Sequence, residues 1–149
     1  MTTIDYDLDS QVGFLLRRAH QRHTALFHEH MPDRVTPTQF AAMARLLERG
    51  PLSQNLLGRE IALDAATIKG VVDRLAGRGL VEVRPDPDDG RRSLVSLSED
   101  GREHTRSYIA AAARITEETL APIAPRDRAT LVRLLAALAH GGNRDARGT

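Results

Sequence analysis

Apolar residues recur three and four positions apart over most of the chain, which is the spacing of one face of an α-helix. The first such stretch covers residues 9–31. A second has clear start signals, because Thr36 supplies an N-cap, Pro37 suits the first helical position and Gln39 completes a capping box. It ends at Gly50, a residue typical of helix C-termini. The pattern therefore predicts two helices in the first third of the chain.

Two shorter helices follow, with three residues between them. Ser53 caps the first helix, and Asp64 caps the second, which covers residues 65–78 and ends at Gly79. The turn between the two is residues 62–64. Two short helices joined by so tight a turn form a helix-turn-helix.

The periodicity changes after this helix pair. Residues 80–84 and 93–97 are short apolar runs, and the segment between them is rich in Pro, Asp and Gly. This pattern predicts a β-hairpin with a long polar tip. A helix-turn-helix followed directly by a hairpin is typical of a winged helix, whose second helix enters the major groove of DNA. The alternative is a winged helix that binds only protein.

Helical spacing returns for the rest of the chain. Ser98 caps a long helix, and Pro122 and Pro125 separate it from a last helix. We expect a leucine stripe on the last helix to form a dimer interface, because it holds more apolar surface than a small monomer needs. Its members are Leu131, Leu134, Leu135 and Leu138. The alternative is that the stripe packs within its own subunit.

Composition narrows the class of protein. The 149 residues suit one domain, 41% of them are hydrophobic, aromatic residues make up 3%, and cysteine is absent. A disulfide framework and a thiolate metal site are therefore excluded. The net charge of +1 predicts neither a nucleic-acid nor a membrane partner, although all the basic residues except Lys69 are arginines, which suit bidentate contacts. Because the start of the chain is acidic and no run of 18 apolar residues occurs, we expect a cytosolic protein without a membrane partner.

Two segments of the chain carry a family resemblance. They resemble the core of the MarR family of bacterial transcriptional regulators and read LGREIALDAATIKGVVDRLAGRGLV at residues 57–81 and RPDPDDGRRSLVSLSEDG at residues 84–101. The wing signature of that family is an Asp and an Arg separated by one residue, then a hydrophobic strand and a Ser or Thr cap. Asp89, Arg91 and Ser98 match it. With the flanking helices, the resemblance extends over residues 9–140.

The resemblance implies a mainly α-helical fold with a small β-hairpin wing, in a single domain of residues 1–149. Residues 36–98 would form the winged helix-turn-helix. Residues 9–31 and 99–141 would form the dimerisation helices of an obligate homodimer. Such a dimer would bind a pseudo-palindromic operator in double-stranded DNA.

The candidate DNA contacts combine the resemblance with the exposed positions of the second helix of the helix-turn-helix. Arg91 matches the family arginine that enters the minor groove, and Asp89 would hold it in position. We expect Arg92 to face phosphate or solvent. Gly70 departs from the family, which often has a longer side chain there, and we expect it to let the helix approach the DNA closely. The full set is Ser53, Ala65, Ala66, Thr67, Lys69, Gly70, Arg74, Asp89, Arg91 and Arg92.

A small-molecule effector follows from the same resemblance, because the family commonly binds small aromatic acids and phenols that weaken operator affinity. The corresponding residues are Phe14, Arg18, His20, His23, Phe40, Met43 and Tyr108. Positions 14 and 18 share a helix face, which favours Arg18 over Arg17 as the carboxylate anchor. The segment RRAHQR at residues 17–22 resembles the repressors of nicotinate catabolism, which respond to a hydroxylated nicotinate. The alternative for the apolar residues is ordinary core, and for His23 a hydrogen-bonded core histidine.

Other kinds of chemistry have little support in the sequence. No GxSxG motif, glycine-rich phosphate loop or suitably spaced carboxylate pair occurs, so we expect no enzyme. The six histidines lack a clear set of partner ligands, so we expect neither a metal nor a cofactor. The sequence therefore predicts a repressor of a catabolic or efflux operon that a small aromatic acid releases. The alternative is a constitutive winged-helix module that binds DNA or protein without an effector.

Overall fold

Six helices and three short strands account for most of the computed structural model, which describes residues 4–141. In chain order they are α1 (Val12–His30), α2 (Pro37–Arg49), β1 (Leu52–Ser53), α3 (Gln54–Glu60), α4 (Ala65–Gly77), β2 (Val81–Pro85), β3 (Ser93–Leu97), α5 (Glu99–Leu120) and α6 (Pro125–His140). The prediction of a mainly α-helical fold with a small β-hairpin is confirmed.

The predicted N-caps set where the helices begin. Thr36 and Gln39 form the capping box of α2, and the Ser53 hydroxyl accepts a hydrogen bond at the start of α3. The Asp64 carboxylate accepts one from the Thr67 backbone N–H at 2.7 Å, and its hydrogen bonds with Thr67 lower the pKa of Asp64. Local side-chain chemistry therefore fixes the ends of the helix-turn-helix.

Several element boundaries differ by one to three residues from the sequence prediction, and two of them have a clear local cause. The first helix begins at Val12 and not at residue 9, because Asp7 accepts a hydrogen bond from the Asp9 N–H and closes a separate 3-10 turn over Leu8–Ser10. The first hairpin strand begins one residue late, because the Leu80 N–H bonds back to the end of α4. Neither difference moves a candidate site residue.

A third strand, which the sequence did not predict, joins the hairpin to the helix-turn-helix. The sheet is antiparallel in the order β1-β3-β2, with Leu52 opposite Val95 and Ser53 opposite Leu94. Two residues are too few to show an alternating pattern. We define the wing as residues 81–97. Its base is thus attached to the residues that start α3.

The core lies where α2, α4, α5 and the sheet meet. Its fully buried side chains include Met43, Leu57, Leu75 and Val95, each 0% exposed. Ile68 of α4 joins the same cluster at 1%. Because α4 packs one apolar face against this core, its opposite face is exposed to solvent.

The outer helices keep a large apolar surface exposed. No residue of α6 is buried, and Leu134, Leu135 and Leu138 are 49%, 41% and 60% exposed, while Leu131 is half-buried. On α1, Leu15 and Leu16 are exposed as well. In the single chain, the leucine stripe is therefore not fully packed within its own subunit.

Candidate nucleic-acid interface and ligand cavities

The two helices of the helix-turn-helix cross closely at Gly58. A Cβ at this position would lie 3.0 Å from Cγ2 of Ile68 and 3.2 Å from the carbonyl oxygen of Leu63. The close crossing fixes the direction in which α4 presents its outer face. That face carries the predicted contacts, namely Ala65, Ala66, Thr67, Lys69 and Arg74, which are exposed, and Gly70, which is half-buried.

The basic side chains of the α4 face lie along the helix. The Lys69 ammonium donates a hydrogen bond to Asp73 at 2.8 Å, one helical turn away. The Arg74 guanidinium folds back toward Gly70, where an added Cβ would be 3.5 Å from its nearest nitrogen. Both cations are solvent-accessible and are free to turn toward a phosphate or a base edge.

Gly70 provides a test of the close approach to DNA. Gly70→Ala should raise the free energy of unfolding by up to about 1 kcal/mol, because alanine favours a helix interior and its Cβ meets only a flexible arginine. The same variant should weaken DNA binding. Denaturant unfolding and a DNA titration measure the two effects. Gly77→Ala is the control, since it adds a Cβ to the same helix with nothing within 4 Å. Unchanged DNA affinity in Gly70→Ala would contradict the close approach.

Asp89 organises the tip of the wing. Its carboxylate accepts a hydrogen bond from the Arg91 backbone N–H at 3.1 Å, and its carbonyl accepts one from the Arg92 N–H at 3.0 Å. The Nε atoms of Arg91 and Arg92 lie 3.7 and 3.5 Å from the same carboxylate. The Arg91 side chain is nevertheless 96% exposed. The tip is thus folded around one acidic residue while its first arginine extends into solvent.

A small polar cleft connects the wing to the helix-turn-helix. Its volume is about 140 Å³, and it is lined by Ser53, Gln54, Asn55, Arg91, Arg92 and Ser93. Sequence reasoning missed Gln54, Asn55 and Ser93. Gln54 and Asn55 could have been recognised from their position directly after the N-cap of α3. Amide side chains at the start of a helix are polar and do not contribute to an apolar core.

The predicted ligand residues are not brought together in one cavity. Phe14 and Arg18 line a cavity of about 560 Å³ on one side of α1, together with Arg22. The guanidinium carbons of Arg17 and Arg18 lie 5.5 and 5.9 Å from the centre of the Phe14 ring, within cation–π distance. Both arginines therefore contact the ring, but only Arg18 also lines the cavity.

His20 and His23 line a different cavity, of about 390 Å³, between α1, α5 and α6. The Thr119 hydroxyl donates to a carbonyl of its own helix, so it accepts from Nδ1 of His23 at 2.9 Å. Burial, and then the proximity of His20, lower the pKa of His23. His23 thus makes a hydrogen bond to α5, as the alternative interpretation expects, while it also lines the cavity.

The three remaining ligand candidates lie in or against the core. Met43 is fully buried, and Phe40 packs on Phe27 with the ring centres 6.2 Å apart. Tyr108 is 1% exposed, and its hydroxyl donates to the Asp33 carboxylate at 2.7 Å. Burial, and then the bond to Asp33, raise the pKa of Tyr108 to about 12. Phe40 thus packs on α1, and Tyr108 bonds the loop between α1 and α2, which are contacts that helical periodicity does not predict.

Between residues 4 and 141, no three His, Asp or Glu side chains converge on a position where a metal ion could bind. Within the same residues, no helix combines the length and the apolar character that a membrane span requires.

Similarity to known proteins decides the family. Residues 35–93 match the model of the MarR family. The chain is 40% identical over 131 residues to the HTH-type transcriptional repressor NicR of Pseudomonas putida, a match that covers 87% of this chain and 83% of NicR. The chain belongs to the MarR family. It is therefore a member of a family of transcriptional regulators, as the sequence resemblance predicted.

Solved structures extend the MarR match to the helices outside the winged helix. A probable transcriptional regulator from Pseudomonas aeruginosa is 54% identical, with a TM-score of 0.86 over 89% of this chain and 99% of that one. BpsR of Bordetella bronchiseptica, whose DNA binding is regulated by 6-hydroxynicotinic acid, is 38% identical, with a TM-score of 0.85 over 90% of this chain and 96% of BpsR. The winged-helix MarR fold is therefore confirmed over most of the chain.

Proposed function

We propose that this MarR-family protein is a ligand-responsive DNA-binding repressor that a small aromatic acid releases from its operator. The observation that carries the proposal is the similarity over 90% of the chain to BpsR, a protein whose DNA binding responds to 6-hydroxynicotinic acid. We also propose that it acts in the cytoplasm, on double-stranded operator DNA, and catalyses no reaction. The alternative is a constitutive DNA-binding or protein-binding module without an effector. Negative results in the experiments described below would favour this alternative.

The exposed face of α4 and the wing supply the DNA-binding surface in this proposal. Thr67 and Lys69 on the first turns of α4 would contact base edges in the major groove. Arg91 at the wing tip would enter the minor groove, and Arg92 would face phosphate. Because a two-fold dimer presents two copies of α4, the half-sites should lie roughly 10 bp apart, about one turn of the DNA helix.

The exposed apolar surfaces of α1 and α6 support a homodimer in which residues 9–31 and 99–141 interlock. Deleting residues 126–149 should abolish the dimer and specific DNA binding, because the leucine stripe is lost. Leu138→Glu is the milder variant, since its side chain is 60% exposed in the single chain and its replacement leaves the core intact. Sedimentation and gel-shift experiments measure both effects. A truncated monomer that binds a full operator with normal affinity would contradict the dimer.

The cavity beside Phe14 and Arg18 is the site that we assign to the carboxylate of the effector. A guanidinium binds a carboxylate through two parallel hydrogen bonds, and the Phe14 ring offers an apolar face for an aromatic ring. His20 and His23 lie on another side of α1, in the cavity that shares Ala19 with this one. They would serve a ring hydroxyl only if a change of conformation, or the partner subunit, joined the two cavities.

Titration with 6-hydroxynicotinate, salicylate and a hydroxycinnamate tests the effector, with heat of binding and operator release as the two measurements. Arg18→Ala should weaken binding of the active acid about 10- to 100-fold, since a hydrogen bond to a charged group is worth about 1.5–3 kcal/mol. Arg17→Ala is the matched control, because Arg17 contacts Phe14 but does not line the cavity. Binding unchanged by Arg18→Ala would exclude this anchor. Failure of every acid would favour the module without an effector.

A further inference from the structure

The loop between α1 and α2 has an unfavourable backbone conformation. Asp33 and Arg34 are adjacent non-glycine residues with φ angles of 60° and 56°, in the left-handed region. Such a conformation is unfavourable for a residue with a Cβ and persists where surrounding contacts hold it. The contacts of this loop therefore indicate what the conformation is for.

Asp33 connects two helices that do not belong to its own loop. Its carboxylate accepts a hydrogen bond at 2.7 Å from the hydroxyl of Tyr108, which is buried in the middle of α5. Its backbone carbonyl accepts one at 2.8 Å from the guanidinium of Arg78, the residue that directly follows α4. One residue thus contacts a dimerisation helix through its side chain and the DNA-facing helix through its main chain.

The bond from Tyr108 is a stable part of this arrangement. The phenol is fully buried, and burial and the bond to Asp33 raise its pKa to about 12, so the Tyr108 hydroxyl keeps its proton and stays a donor at neutral pH. A hydrogen bond from a neutral hydroxyl to a charged acceptor is stronger than one between neutral groups. The end of α4 is also attached to the start of α5, since the Ser98 hydroxyl donates to the carbonyl of Gly79 at 2.6 Å. Asp33 supplies a second attachment further along α5.

We propose that Asp33 is a positioning residue that sets the orientation of α4 relative to α5, and thereby the fit of α4 to its operator. The proposal rests on the proposed DNA-binding function. Arg78 lies nine residues beyond Lys69, about 14 Å further along the helix, so the contact acts away from the DNA-facing turns. A shift of α5 that an effector or the partner subunit causes would reach α4 through Tyr108, Asp33 and Arg78.

Two single variants remove the link while changing little else. Tyr108→Phe deletes only the hydroxyl. Asp33→Gly deletes the carboxylate, keeps the carbonyl that Arg78 contacts, and removes the backbone strain, because glycine accepts a positive φ. Arg34→Gly is the matched control, since it relieves the same strain in the neighbouring residue and leaves the bond between Tyr108 and Asp33 in place.

The measurement is the ratio of affinity for an operator to affinity for a random duplex at one salt concentration. The operator is the duplex that the unsubstituted dimer selects from a random-sequence pool. Tyr108→Phe and Asp33→Gly should each lower the ratio about tenfold, and the double variant should lower it no further, because both remove one interaction. Arg34→Gly should leave the ratio unchanged. A merely structural role would reduce the folded fraction and both affinities equally.

An unchanged ratio in Tyr108→Phe would overturn the assignment, whatever Asp33→Gly does to folding. Additive losses in the double variant would overturn it too, since the two residues would then act independently. A dimer that selects no sequence from the pool fails the DNA-binding function itself, and the role of Asp33 falls with it. The two failures are distinguishable, because the second is seen in the unsubstituted protein.

Discussion

Gly101→Ala is expected to lower the free energy of unfolding by about 3 kcal/mol, at the upper end of what overpacking a well-packed site costs. Gly101 lies in the first turn of α5, where a Cβ would overlap the backbone carbonyl oxygen of Leu80 and lie 3.2 Å from the Ser98 hydroxyl. The carbonyl of Leu80 is held by the Ser98 N–H at 3.0 Å and has no room to withdraw. The wing and α5 would have to separate.

Thermal unfolding measures this loss, which corresponds to a fall in Tm of about 10 °C for a chain of this size. Gly77→Ala is the control again, since a Cβ there meets nothing within 4 Å and alanine is the better helix former. It should unfold at or above the temperature of the unsubstituted protein. A Gly101→Ala variant as stable as Gly77→Ala would show that the junction between β2 and α5 is looser than its hydrogen bonds indicate.

Arg91→Ala is expected to weaken binding to operator and to unrelated DNA together. The side chain is 96% exposed at the wing tip, so its removal takes away a charge without disturbing the fold. Fewer phosphate charges are then neutralised, and the slope of log K against log salt should become shallower by about 1. Gel-shift titrations at several salt concentrations measure both effects.

Arg106→Ala is the matched control for charge, because Arg106 is an exposed arginine on α5 and not on the wing. It should leave the salt slope unchanged. Thr67→Ala and Lys69→Ala should instead change which bases are preferred, since these side chains face the proposed major-groove contact. Unaltered affinity of Arg91→Ala at moderate salt would show that the wing does not bind DNA.

The elements that local chemistry determines were predictable from the sequence. Asp64 and Ser53 cap their helices as predicted, because an N-cap requires only a side-chain oxygen and a free N–H two or three residues on. Gly101 was not recognisable in the same way. Its need to be glycine comes from the carbonyl of Leu80, which tertiary structure brings to it from 21 residues earlier in the chain.

The predicted ligand residues also depend on tertiary contacts that the sequence does not reveal. Helical spacing placed Phe14 and Arg18 on one face of α1, and both line one cavity. It could not separate them from His23, which faces α5, nor from Tyr108, whose direction depends on how α5 packs. The contacts of Asp33 could not be predicted from the sequence, because a positive φ at an Asp is not visible in composition or periodicity.

The two-residue strand β1 has a mechanical consequence. Ser53 pairs with Leu94 in the wing, and the same residue caps α3 through its hydroxyl. A displacement of the wing would therefore also displace the helix-turn-helix, since one residue takes part in both the strand pairing and the helix cap. The wing and the helix-turn-helix should therefore move together as one rigid unit. The tip between β2 and β3, residues 86–92, lies outside these strand pairings and can change in sequence without altering them.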